Sequence, residues 1–70
     1  MDNVVTNWST LLNTKTDRDL VKKFVEGSSL RSIVNGLSSS EARTEAYRLE
    51  KFVPAGVART RAKRALRRRS

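Results

Sequence analysis

The residues of this chain with the strongest chemical character are Arg59, Arg61, Lys63, Arg64, Arg67, Arg68 and Arg69. They are seven cations within eleven consecutive positions, with no acid among them. Guanidinium groups are planar forks that meet phosphate or carboxylate oxygens two at a time. A run this dense points to electrostatic capture of a polyanion rather than to a solvated tail without a role. The residues that catalysis would require are missing. There is no histidine, so no side chain ordinarily titrates near neutral pH, and no cysteine to supply a thiolate, a disulfide or a zinc ligand. No glycine-rich phosphate loop and no nucleophile–base spacing occurs. Asp17 with Asp19, and Glu41 with Glu45, read as helix-start and surface charges rather than as catalytic pairs. The expected chemistry is binding, with no enzyme activity, cofactor or metal.

Length limits what can position these groups. Seventy residues make one small domain, whose core typically supplies about 3–5 kcal/mol of net stability. The net charge of +8 is unevenly placed: residues 1–53 carry +1 and residues 54–70 carry +7. The expected organisation is a nearly neutral body over 1–53 and a basic tail over 54–70, so affinity for polyanions belongs to the tail. No apolar run is long enough to span a membrane and no signal peptide opens the chain, so a soluble, intracellular protein is expected.

The body reads as all-α, a bundle of three to four short helices. Leu30, Ile33, Val34 and Leu37 share one helical face, and Ala42, Ala46, Leu49 and Val53 recur at i, i+4, i+7 and i+11. Between them Ser38-Ser39-Ser40-Glu41 forms a polar turn in which Ser38 and Glu41 have capping-box spacing. Neither stripe can be buried alone, so the two helices fold against each other as a helix-turn-helix. The third helix is expected from Leu30 to about Asn35, closed by Gly36, and the fourth from Ser39 or Ser40 to Phe52.

Ahead of them, Val4, Val5, Trp8, Leu11 and Leu12 predict a helix within Met1–Asn13, capped by Asp2 or Asn3. Trp8 is expected to anchor it in the core; the competing reading leaves the Val4–Trp8 stripe open to a partner. A second helix starts at Thr16 or Asp17 and runs through Glu26, burying Leu20, Val21, Phe24 and Val25. Asp17 and Asp19 suit its first turn, and Gly27 ends it. Pro54 stops the fourth helix. Beyond it, Val57, Ala58, Ala62, Ala65 and Leu66 are scattered among arginines that repel one another. The expectation is a flexible tail, disordered when free and partly helical when docked on an acidic surface.

The fourth helix occupies the place of a recognition helix, yet three glutamates offset its three bases. Glu45 and Arg48, at i and i+3, should pair with each other. Arg43, Tyr47 and Arg48 are its candidate contacts, with Val4 and Trp8 from the first helix.

The run from Ser29 to Leu49, SLRSIVNGLSSSEARTEAYRL, resembles the helix-turn-helix units of bacterial and phage regulators. Ile33, Leu37 and Tyr47 match apolar positions of that pattern. Val34 stands where alanine is preferred, and Ser38 where glycine is usual at the turn. Over its full length, from Met1-Asp2-Asn3-Val4-Val5-Thr6-Asn7-Trp8 to Arg67-Arg68-Arg69-Ser70, the chain is similar to small RNA-polymerase-binding transcription regulators of lytic Xanthomonas phages. That resemblance implies a protein of the host bacterial cytoplasm that grips the large subunits of host RNA polymerase near the RNA exit channel; a monomer is the expected state. It implies inhibition of initiation by sigma displacement, and antitermination. A neutral body suits a protein partner, and a linked tail would add affinity on an acidic surface or on DNA or RNA phosphates. The competing readings are a sequence-specific DNA-binding repressor with a phosphate-binding tail, and a packaging protein that neutralises any polyanion.

Overall fold

The computed structural model describes residues 7–69. Five helices cover most of them: α1 (Trp8–Leu11), α2 (Lys15–Val25), α3 (Leu30–Ile33), α4 (Ser40–Phe52) and α5 (Ala55–Arg69), with a 3₁₀ turn over Val34–Gly36 between α3 and α4. No strand occurs among the described residues, and the protein is all-α.

The stripes expected from spacing are the core. Leu30, Ile33, Val34 and Leu37 are buried, as are Ala42, Ala46, Leu49 and Val53. On α2, Val21 and Phe24 are buried while Leu20 and Val25 are partly covered. Leu11 and Leu12 are buried, and the Trp8 ring stacks on Phe24 with centroids 6.4 Å apart. Trp8 is thus the core anchor, where the large rings contribute most buried apolar area.

Local signals set the helix ends. Thr14 caps α2 by accepting from the Asp17 N–H, and Ser29 caps α3 by accepting from that of Ser32. At the C-terminus of α2, Gly27 has φ +131°, its N–H bonds Phe24 O, and the Ser28 N–H bonds Lys23 O. This is the Schellman arrangement, for which glycine avoids the Cβ penalty. Gly36 serves close approach instead: a Cβ there would lie 3.1 Å from Leu20 Cδ1.

Four expectations are corrected. The first helix, within the described residues, spans only Trp8–Leu11; Val4, Val5 and the proposed Asp2 or Asn3 cap lie outside them. α3 gives way to the 3₁₀ turn after Ile33. The cap of α4 is Ser39, whose Oγ accepts from the Ala42 N–H at 3.1 Å. Ser38 does not cap because a different partner holds it: its N–H and Oγ–H donate to the two oxygens of Asp17, at 2.8 and 2.6 Å.

The largest correction concerns the tail. Residues 55–69 form the longest helix of the protein, with Ala58 and Ala62 fully buried and Ala65 and Leu66 partly so. α5 packs chiefly on α2 and also touches α1 and α4. The Cα radius of gyration is 10.7 Å, close to the about 11 Å of a compact chain of this length, which leaves no room for an extended arm. Repulsion between like charges costs only a few tenths of a kcal/mol per helical pair. The stripe of Ala58, Ala62, Ala65 and Leu66 outweighs it by burying apolar surface against the rest of the core.

Candidate functional site

Each cation of the body has a use within the fold or a place outside it, and the difference locates the site. Arg18 donates to Leu12 O at 3.4 Å, and Arg43 to Leu37 O at 3.1 Å, so both brace connections between helices. Arg31 pairs with Glu50 at 3.7 Å, and Arg48 with Glu45 at 3.4 Å, the pairing that the i, i+3 spacing predicted. Arg59, expected among the polyanion-binding residues, is structural. Its Nε donates to Phe24 O at 3.1 Å, its second nitrogen reaches Gly27 O and Ser28 O at 3.4 and 3.3 Å, and its guanidinium lies 4.9 Å from the Phe24 ring centroid. It caps the negative end of α2, where a cation is favoured.

The remaining cations of α5 divide by helical angle. Arg61, Arg64 and Arg68 fall at i, i+3 and i+7 along one side. All three line a cleft of about 450 Å³ against α1, with Trp8, Ser9 and Leu12 opposite. Arg61 and Arg64 also line a second cleft with Pro54, Val57 and Thr60. Lys63 and Arg67 are exposed on another side of the helix, and Arg69 is its last residue. The sequence-predicted run is therefore split, and three of its members are brought together over α1.

The candidate contacts of the body fare unequally. Val4 lies outside the described residues, and Trp8 is only 8% exposed, which agrees with its expected place in the core and corrects its competing reading as a partner contact. The Trp8 Nε1–H is buried with no acceptor among the described residues. Arg43 is half-buried on Leu37 O. Tyr47 stays 48% exposed although its position in the resembled pattern is apolar, and Phe52, which spacing did not single out, is 58% exposed. Lys51 sits 5.4 Å over the Phe52 ring. The outer surface of α4 thus carries Thr44, Tyr47, Arg48, Lys51 and Phe52.

One of its three acids is turned away. Glu45 is buried, and beyond Arg48 it accepts from the Asn7 N–H at 2.9 Å, fastening the start of α1 to α4. Glu50 is exposed and pairs with Arg31, and Glu41 is exposed at the start of the helix. Asp17, read from sequence as a helix-start charge, is fully buried. It ties α2 to the turn before α4, and the 21-residue separation of its partner left no local signal. Comparison with protein-family models, with curated proteins and with solved structures gives no match for the chain.

Proposed function

We propose that this chain is a small, non-catalytic transcription regulator that acts as a monomer in the bacterial cytoplasm by docking on the large subunits of host RNA polymerase. In this reading α3, the 3₁₀ turn and α4 form a helix-turn-helix used for protein contact, and docking inhibits initiation by sigma displacement and promotes antitermination. The support from sequence is the full-length resemblance to phage regulators. The observation that carries it in the structure is the pair of exposed aromatics on α4, Tyr47 at 48% and Phe52 at 58%, beside Arg48 and Lys51. Exposed aromatic and arginine side chains together are the usual anchors of protein interfaces, whereas phosphates gain little from aromatic rings.

The test is capture of purified bacterial RNA polymerase by the full-length chain after nuclease treatment. Wild type should retain the polymerase, and the double substitution Y47A/F52A should weaken retention by about tenfold or more with the helical content unchanged. Loss of retention on nuclease treatment, or indifference to Y47A/F52A, would contradict it.

A second reading, a sequence-specific DNA-binding repressor, is favoured by one observation. With Glu45 buried and the exposed Glu50 paired to Arg31, the outward-facing Thr44, Arg48 and Lys51 are free of an unpaired acid between them. Enrichment of one sequence from a random duplex pool, lost with T44A/K51A, would select this reading over polymerase docking.

A further inference from the structure

The arginines of this protein sort into those the fold consumes and those it leaves over. Arg18, Arg31, Arg43, Arg48 and Arg59 each meet a carbonyl or carboxylate. Arg61, Arg64 and Arg68 make no hydrogen bond or ion pair among the described residues, although Arg61 is half-buried. Holding three like charges along one stripe is unfavourable by itself. Their stripe nevertheless lines one cleft, and Arg61 and Arg64 carry it into the next. Trp8, on the opposite wall, has an unsatisfied buried donor.

We infer that the Arg61–Arg64–Arg68 stripe and the α1 wall form a track for the phosphate backbone of a nucleic-acid strand. The inference is independent of polymerase docking, which uses other side chains, and its test contains no polymerase. Two arguments favour phosphates over an acidic peptide. The apolar residues that line the main cleft are already spent in the core, Trp8 at 8% and Leu12 at 1% exposure. They offer a peptide side chain little to anchor on, while the guanidinium groups remain available. Spacing is the second argument. From Arg61 to Arg68 the helix axis advances about 10.5 Å at about 1.5 Å per residue, over which one DNA strand presents about three phosphates at about 3.4 Å each. Three unpartnered guanidinium groups meet a repeat of three charges, each suited to bidentate contact.

The experiment is a salt titration of full-length protein binding to a fluorescent oligothymidylate of about 20 nucleotides, to a duplex of equal length, and to polyglutamate as the carboxylate control. Three phosphate contacts predict that R61Q/R64Q/R68Q flattens the log K against log salt slope by about 2 for the single strand, or nearly 3 for the duplex. Between about 50 and 200 mM salt those contacts account for roughly a 20-fold or 40-fold loss in wild-type affinity. The charge-matched variant K22Q/K23Q/K63Q should change the slope by less than half as much. Wild-type Trp8 fluorescence should shift as the oligonucleotide fills the cleft. Should the triple variant lose helicity, the single variants R61Q, R64Q and R68Q are each expected to lower the slope by about 0.7–0.9. Equal losses in the two triple variants, polyglutamate binding as tight as the oligonucleotide at equal charge, or no oligonucleotide binding at about 50 mM salt would overturn the track.

Discussion

Asp17 and Ser38 decide how the turn before α4 is held. A buried carboxylate with two charge-assisted bonds to one residue joins α2 to that turn. Asp17→Ala leaves both donors of Ser38 without an acceptor and should cost about 2–4 kcal/mol, most of the stability of a domain this small. Ser38→Ala keeps the backbone bond and should cost about 1–2 kcal/mol; Ser39→Ala removes the cap of α4 for about 1 kcal/mol. Urea unfolding of the three variants checks the order. Were Asp17 only a favourable charge at a helix start, its loss would cost less than about 1 kcal/mol. Arg59 is a second residue whose role lies inside the fold. Arg59→Ala removes its bonds to the end of α2 and its contact with Phe24, an expected loss of about 1–2 kcal/mol in the same assay.

At the scale of elements, α5 is the part that changes the picture of the molecule. Ala58 and Ala62 are fully buried, so Ala62→Asp places an unpaired charge against α2. It should leave the chain largely unfolded by circular dichroism at ambient temperature, while Lys63→Asp one position on should not. The helical stripes of α2 and α3 were legible because large apolar residues recur at helical spacing beside a cap or a glycine stop, and that of α4 because Leu49 and Val53 extend Ala42 and Ala46 among balanced charges. Gly27, Pro54 and the Glu45–Arg48 pair could be read for the same reason: their causes are local. The buried face of α5 is hidden in the sequence because its alanines stand among seven cations with no acid, where they look like filler, whereas those of α4 stand among balanced charges. The signal was present as the spacing of Ala58, Ala62, Ala65 and Leu66, and it was outweighed by the arginine count. For the candidate site, the residue types were legible and their sorting was not. Whether an arginine serves the fold or a partner depends on which carbonyls and carboxylates come near it, as Arg59 against Arg61 illustrates.

At the scale of the whole molecule, the body and the cationic segment are not separable parts. A nearly neutral body and a detachable cationic arm would allow either to be removed without harm to the other. Instead the basic helix covers α2, its Arg59 closes that helix, and its Arg61, Arg64 and Arg68 share a cleft with α1. Neutralising the charge and deleting the helix should therefore have different consequences. R61Q/R64Q/R68Q should fold with at least wild-type stability, since repulsion along the stripe is relieved. Removing residues 55–70 uncovers the core face of α2 and should lower the melting temperature steeply or abolish the cooperative transition. No helix of the described residues is long and apolar enough to cross a membrane.

The most direct test is amide hydrogen exchange on the full-length protein. If α5 is part of the globule, the amides of Arg59 through Leu66 are protected to a degree comparable with those of Leu20 through Val25, and both open together. Exchange of the 55–69 amides at the rate of an unstructured chain, with 15–52 still protected, would contradict the account.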